Sequence, residues 1–275
     1  MRRFSLLISL LATLLTTLVV TGPVARAGTA VPPTLPTSIV SVGDSITRGY
    51  DATLFPCFLS DCPQYSWSTG TSSSVNSQYA QLRQRGATVA ATNAAKTGAK
   101  MSDLGRQLGG VASTTSVQYV TVLLGANDVC TSSFSTMTPT TTFTTQFEGP
   151  LSTFLSTHPN AYVFVSSIPN VRQLYDVLKS NSSARSTWRS FGICQSMLSS
   201  TITDTVREQV QAREIEYNSA LESVCATYDR CRWDGDDTYD TPFLPTDVST
   251  VDYFHPSISG QKKLAGVTWT ASYWG

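Results

Sequence analysis

Histidine is scarce in this 275-residue chain: only His158 and His255 occur. Any reaction that needs an imidazole must use one of the two. There are no paired Cys-x-x-Cys hooks either, so a zinc site is not expected, and neither is any other metal or cofactor. His-Glu-x-x-His, a Walker loop and a GxGxxG run are all missing, which leaves metallopeptidase and nucleotide readings without support. No Gly-x-Ser-x-Gly elbow is present, and this disfavours the α/β-hydrolase way of presenting a serine. No block of like charges appears. Beyond the first 27 residues, no segment is apolar enough to span a bilayer.

Those first 27 residues read as a signal peptide. Arg2 and Arg3 give a positive start, the stretch from Leu6 to Val20 is largely apolar but interrupted by threonines, and Ala25-Arg26-Ala27 supplies a small-x-small cleavage pattern. An uncleaved membrane anchor is the rival reading. The interrupting threonines and the cleavage pattern favour export, and with it an extracellular location. The whole chain has 19 basic and 19 acidic residues. Without Arg2, Arg3 and Arg26, 16 basic residues face 19 acidic ones, a net charge of −3. Nucleic acid is therefore not an expected partner, since phosphate binding needs a clustered positive face. Residues 28–37, rich in proline and threonine, read as an exposed leader. Residues 38–275 have the size of one α/β domain with a sizeable core, and a monomer is expected.

Six cysteines remain after cleavage: Cys57, Cys62, Cys130, Cys194, Cys225 and Cys231. An even number in an exported chain suggests three disulfides, although six cysteines allow about 15 pairings. Short-range closure would pair Cys57 with Cys62 and Cys225 with Cys231, leaving Cys130 for Cys194.

Four runs read as strands: Ser38 to Val42, Val89 to Thr92, Val120 to Leu124 and Ala161 to Val165. The third is apolar almost throughout, as a central parallel strand should be. Phe143 to Phe154 reads as a helix. Ile202, Val206, Val210, Tyr217, Leu221 and Val224 recur at helical spacing and predict a long amphipathic helix with its apolar stripe in the core. Arg207, Glu208, Arg213, Glu214 and Glu216 fall mostly on its other faces. A last helix should begin near Ser257 or Ser259 and run through Leu264. Residues 131–145, rich in serine and threonine, read as a solvated loop. Strands alternating with helices imply a parallel sheet covered on both faces.

Four short blocks carry chemistry. Val42-Gly43-Asp44-Ser45-Ile46 ends the first strand, where Gly43 permits a sharp turn at the edge that binds ligands in parallel α/β sheets. Lys96-Thr97-Gly98-Ala99, Gly125-Ala126-Asn127-Asp128 and Asp252-Tyr253-Phe254-His255-Pro256 follow in order. On Ser45, Gly98, Asn127 and His255 the chain resembles the SGNH hydrolases, also called the GDSL lipase/esterase family, over roughly residues 38–270. The first block reads Gly-Asp-Ser-Ile where the family name has leucine. The flanking Tyr65-Ser66-Trp67-Ser68-Thr69-Gly70, and Cys130 soon after Asn127, resemble the phospholipase-B-like branch. The resemblance implies a flavodoxin-like three-layer α/β/α sandwich with a mostly parallel sheet.

It also implies a serine esterase or lipase working through an acyl-enzyme on Ser45. His158 sits in a Thr-His-Pro-Asn turn expected on the opposite sheet edge, which leaves His255 as the base. Asp252, three residues earlier, can orient the imidazole and stabilise its charged form. The backbone N–H groups of Ser45 and Gly98 and the Asn127 amide are the candidate oxyanion donors. Asp44 and Asp128 are expected to hold loops by local hydrogen bonds. Trp67 and Phe254, with Tyr65 and Tyr253, are candidates for an apolar substrate groove. The expected partner is a lipid or a small acyl ester, with transient contact with lipid surfaces. A phospholipase, a carbohydrate O-deacetylase and, outside enzymes, a catalytically silent binding protein on the same scaffold are the alternatives.

Overall fold

A computed structural model describes residues 34–112 and 116–275. The expected signal peptide and the first six residues of the leader lie outside the described residues. The rest of the leader is not free of the domain: Pro36 is buried, Leu35 packs against the core, and the Thr37 N–H donates to Gln118.

Five parallel strands form one sheet: β1 (Ser38–Gly43), β2 (Ala90–Asn93), β3 (Tyr119–Leu123), β4 (Tyr162–Val165) and β5 (Cys231–Trp233). Their order is β2-β1-β3-β4-β5, the flavodoxin-like order. Every residue of β3 is buried, which a strand achieves only when both faces of the sheet are covered. Tyr119 shows one cover. Its hydroxyl donates to Gln78, and its ring meets Trp274 edge-on.

The covering helices are α1 (Gln78–Gln84), α2 (Leu104–Ala112), α3 (Ala126–Val129), α4 (Thr140–Thr157), α5 (Val171–Leu178), α6 (Ser182–Phe191), α7 (Gln195–Leu198), α8 (Asp204–Cys225), α9 (Asp237–Asp240) and α10 (Ile258–Ala271). Helix α1 packs on α10. Helices α2, α4 and α8 pack on one another in sequence, with Phe143 of α4 stacked on Tyr217 of α8. Side-chain oxygens cap several N-termini: Ser77, Asn170, Asn181, Thr203 and Ser257 each accept a backbone N–H.

Three expectations change. Helix α4 starts at Thr140, so the solvated loop expected over 131–145 ends earlier. Thr144 and Thr145 hydroxyls bond back to the carbonyls of Thr140 and Thr141, which lets threonine sit within a helix. On α8, Arg207 and Glu214 are buried rather than solvated. Arg207 donates to the carbonyls of Met197, Ser199 and Ile202, and Glu214 accepts the Val171 N–H. Strand β5 and helices α5 and α6 go beyond the expected elements, although α5 carries Val171, Leu174, Tyr175 and Leu178 at helical spacing.

Three disulfides join Cys57 to Cys62, Cys130 to Cys194, and Cys225 to Cys231. The third closes the turn from α8 into β5. No described helix is long and apolar enough to cross a membrane.

Candidate active site

The order of strands sets where a site can form. The chain leaves β1 toward β2 on one side and β3 leads away on the other, so a crevice opens beyond the ends of β1 and β3. Ser45 follows β1 and Asn127 follows β3. Gly98 follows β2, in the next place along the sheet.

Gly43 is needed at the end of β1 for lack of space. A Cβ there would stand 2.5 Å from the Leu123 carbonyl oxygen and 2.5 Å from Thr47 Oγ1. Gln107 on α2 clamps the same residue, accepting the Gly43 N–H at 2.7 Å and donating to its carbonyl at 2.8 Å. The turn after Gly43 is held from below by Gln261 of α10, which donates to the Ile46 carbonyl at 2.7 Å and accepts the Trp67 N–H at 3.0 Å. Trp67 itself is fully buried, with its indole N–H donating to Thr47 Oγ1 at 3.2 Å. It supports the turn that carries Ser45 and has no surface to offer a substrate, which corrects its expected place in the groove.

The candidate base arrives from the other end of the chain, just before α10. His255 Nε2 is 2.8 Å from Ser45 Oγ. Its Nδ1 is in a very short hydrogen bond with Asp252 Oδ2. Asp252 Oδ1 accepts the N–H groups of Phe254 and His255 at 2.9 and 3.0 Å, so the carboxylate is fixed by its own turn. Tyr253, at φ 57°, makes that turn possible, and Trp188 holds the Tyr253 carbonyl at 2.9 Å. The Tyr50 ring lies 5.0 Å from the His255 ring.

Burial opposes a charge on His255, but Asp252, with Asp44 and Asp51 behind it, outweighs burial and raises its pKa above the ordinary value. Burial likewise works against Asp252, and His255 outweighs it there, keeping that carboxyl below its usual range. His158 takes no part. It caps the C-terminus of α4 ahead of β4, stacked on Phe154, at the edge of the sheet away from Ser45.

The oxyanion candidates stand at neighbouring strand ends. The N–H groups of Ser45 and Gly98 donate to no other described residue. Gly98 takes φ +80° in an exposed turn whose Lys96 N–H donates to the Gly43 carbonyl. Asn127 Nδ2 donates to the Ala99 carbonyl at 2.9 Å, which orients the amide and leaves its second hydrogen unspent. Asp128 accepts from Met101 N at 2.8 Å and from Thr138 Oγ1 at 2.6 Å, holding this loop. Asp44 accepts the Ile46 N–H at 2.9 Å. Its other oxygen is buried without a partner among the described residues, and burial pushes its pKa up to about 7.

A small apolar cavity of about 60 Å³ opens beside this constellation. Ile46, Ala126, Phe254 and Pro256 line it, each adjoining Ser45, Asn127 or His255, and Leu174 and Phe243 face them. Phe254 thus stands where the groove was expected.

Two structural features had no clear signal in the sequence. One is the clamp of Gln107 and Gln261. The other is Asp51, a second buried carboxyl at the imidazole. Asp51, Asp252 and His255 are the one set of three potential metal ligands gathered within 4.8 Å among the described residues. A cation there would compete with the His255–Asp252 bond.

The sequence matches the family described as GDSL-like Lipase/Acylhydrolase over residues 39–266. No curated protein sequence matches it. Among solved structures, it is similar to the lipase/acylhydrolase from Enterococcus faecalis, at 20% identity and TM-score 0.53, covering 84% of this chain and 93% of that one. It is similar to LAE5, a hydrolase from the metagenome of Lake Arreo, Spain, at 15% identity and TM-score 0.54, covering 88% and 97%. It is also similar to a catalytic mutant of Axe2, an acetylxylan esterase from Geobacillus stearothermophilus, at 12% identity and TM-score 0.53, covering 86% and 93%. At these identities the structures speak for the fold.

Proposed function

Because this chain belongs to the GDSL-like lipase/acylhydrolase family and is a carboxylic ester hydrolase, we propose that it works through an acyl-enzyme on Ser45, with His255 as base and Asp252 as its orienting acid. The observation that carries this reading is the pair of contacts on one ring: Ser45 Oγ at Nε2 and the Asp252 carboxylate at Nδ1. Ser45 Oγ attacks the ester carbonyl carbon while its proton passes to Nε2. Asp252 holds the ring in the tautomer that can accept it and stabilises the imidazolium. The carbonyl oxygen becomes an oxyanion and receives the N–H groups of Ser45, Gly98 and Asn127. Collapse breaks the bond to the alcohol, which takes the proton from Nε2. Water then attacks the acyl-Ser45 ester by the same route and releases the acid.

The cavity beside Ser45 favours an acyl chain. Its described lining is mostly aliphatic and aromatic, which suits the hydrocarbon of an acyl group. Lipid or small acyl esters are therefore the proposed substrates, with phospholipids as a member of that class. We read the enzyme as exported. Three disulfides suit an oxidising compartment.

The test has two arms. A fluorophosphonate should label Ser45 in the parent and not in Ser45→Ala, as read by peptide mass. Nitrophenyl esters from acetate to octanoate, phosphatidylcholine and acetylated xylan should then be compared by kcat/KM. A preference for acetylated sugar over every acyl ester would replace the lipid reading with an O-deacetylase.

A further inference from the structure

Seven large apolar side chains stand exposed among the described residues, and four of them occupy residues 54–59: Leu54, Phe55, Phe58 and Leu59. Phe55 is 80% exposed and Phe58 56%. Scattered exposed apolar residues are normal, but a cluster marks a surface that meets something. We propose that this loop seats the enzyme on the surface of an aggregated ester substrate, with its apolar side chains inserted among the lipid chains.

The loop is built to project these side chains. Cys57 and Cys62 are buried and bonded to each other, so the apolar residues are turned outward from a fixed root. The Cys62 N–H donates to Arg48 O at 3.1 Å, and the Asp51 N–H to Ser60 O at 3.2 Å. The Leu59 N–H donates to Asp51 Oδ1 at 2.5 Å. A tip already fixed has little conformational entropy left to lose on docking.

The chemistry selects lipid over protein. Ala52 to Ser60 contains no charged residue. Insertion therefore places no ion in hydrocarbon.

The position also fits. The root of the loop is Tyr50 and Asp51, which lie against His255. Ala52 O accepts the Ile258 N–H, and Asp51 O accepts the Ser249 hydroxyl, so the loop is tied to the segment carrying Asp252 and His255. A shallow basin runs from Leu54 past Tyr253 and Ile258 to Val248, and Val248 also lines the apolar cavity beside Ser45. The basin beside the loop and the cavity beside Ser45 thus share Val248 as a wall.

This inference rests on the ester-hydrolase reading and adds the physical state of the substrate. The test uses the full chain and the double variant Phe55→Ser/Phe58→Ser, neither residue belonging to the catalytic constellation. Nitrophenyl acetate in solution reports whether the site is intact. Tributyrin followed across its solubility limit, and flotation with phosphatidylcholine vesicles, report docking. The parent should gain at least about tenfold in rate once tributyrin forms droplets, and should float with vesicles. The variant should lose both by about tenfold while its nitrophenyl acetate rate stays within about twofold. A parent that neither floats nor accelerates overturns the proposal, as does a variant that keeps both. A parent that is dimeric by sedimentation and a variant that is monomeric would assign the loop to a second copy instead, and overturn it too. Inactivity of the parent on every ester would sink the enzyme reading, whereas flotation would still score the loop.

Discussion

Asp51 and Asp252 approach the same imidazole, their carboxylate oxygens and a ring nitrogen of His255 lying within 4.8 Å of one another. Asp252 is fully engaged, with two backbone N–H groups on one oxygen and the ring on the other. Asp51 accepts the Leu59 N–H on one oxygen, and its second oxygen is buried with no partner among the described residues. Burial, then the Asp252 charge, push the Asp51 pKa up to about 6.

This arrangement sets the pH dependence. The proposed base, His255, must be neutral to accept a proton, and its pKa is raised above 6.5. kcat/KM should therefore rise with pH, reaching half its plateau above pH 6.5. Asp51→Asn removes one negative charge from the ring's surroundings, so the rise should move to lower pH with little change in plateau kcat. Asp252→Asn should move it further and lower kcat by up to about 10⁴-fold, because the tautomer is lost as well. Superimposable profiles for parent and Asp51→Asn would remove Asp51 from the electrostatics of the site.

Ser45→Ala and His255→Ala should each abolish nearly all turnover with the fold intact by circular dichroism. The double variant should be no worse than either alone, since the two act as one unit. More than about a tenth of parental activity in either single variant would end the assignment of nucleophile and base.

Asn127→Ala should lower kcat by roughly 10–10³-fold with KM little changed, because the donor matters most once charge has built up on the oxygen. Asn127→Asp should be at least as damaging, since a carboxylate repels the oxyanion. Parental rates in Asn127→Ala would make the amide a brace for the Ala99 carbonyl and nothing more.

Stability should fall as pH rises through the acid range. Asp44 titrates near 3.8 in a free chain and about 7 when folded, so the folded state holds the proton more tightly. Its contribution is complete below pH 3.8 and is lost as pH climbs to about 7. Asp51 acts in the same sense up to about 6, while Asp247 and Asp252, lowered on folding, act oppositely at lower pH. Melting temperatures of Asp44→Asn should decline less between pH 4 and 7 than those of the parent. Parallel curves would show that the Asp44 carboxyl is not held protonated.

Replacing Cys130 and Cys194 together by serine should cost about 4 kcal/mol of stability in urea unfolding, since their bond closes a long loop. The same bond fastens the end of α3, whose first turn carries Asn127. kcat should drop alongside stability, and unchanged kcat would mean that α3 is positioned without it.

Much of this was legible in residue order. The apolar runs at β1 and β3 announce central strands, because a strand buried on both faces needs no alternation. The stripe of α8 announces itself through Val210, Tyr217 and Leu221 at helical spacing. Ser45, Asp252 and His255 come together as their short blocks suggested. Gln107, Gln261 and Asp51 could not be found that way. Each is a polar side chain buried by distant partners, and burial of that kind leaves no periodicity in its own segment. Trp67 misled because an aromatic beside a site reads the same whether its ring faces the substrate or the core. Arg207 and Glu214 misled for a related reason: a charged residue on a helix is expected in solvent unless the backbone groups that satisfy it can be foreseen.

The proposed nucleophile and base are 210 positions apart, one just after the first strand and the other just before the last helix. A ribosome has therefore made Ser45 long before it makes His255. Through most of its synthesis the nascent chain carries a serine with no partner to take its proton. On that assignment the proposed centre can assemble only once the segment carrying His255 has been made and folds against the first strand.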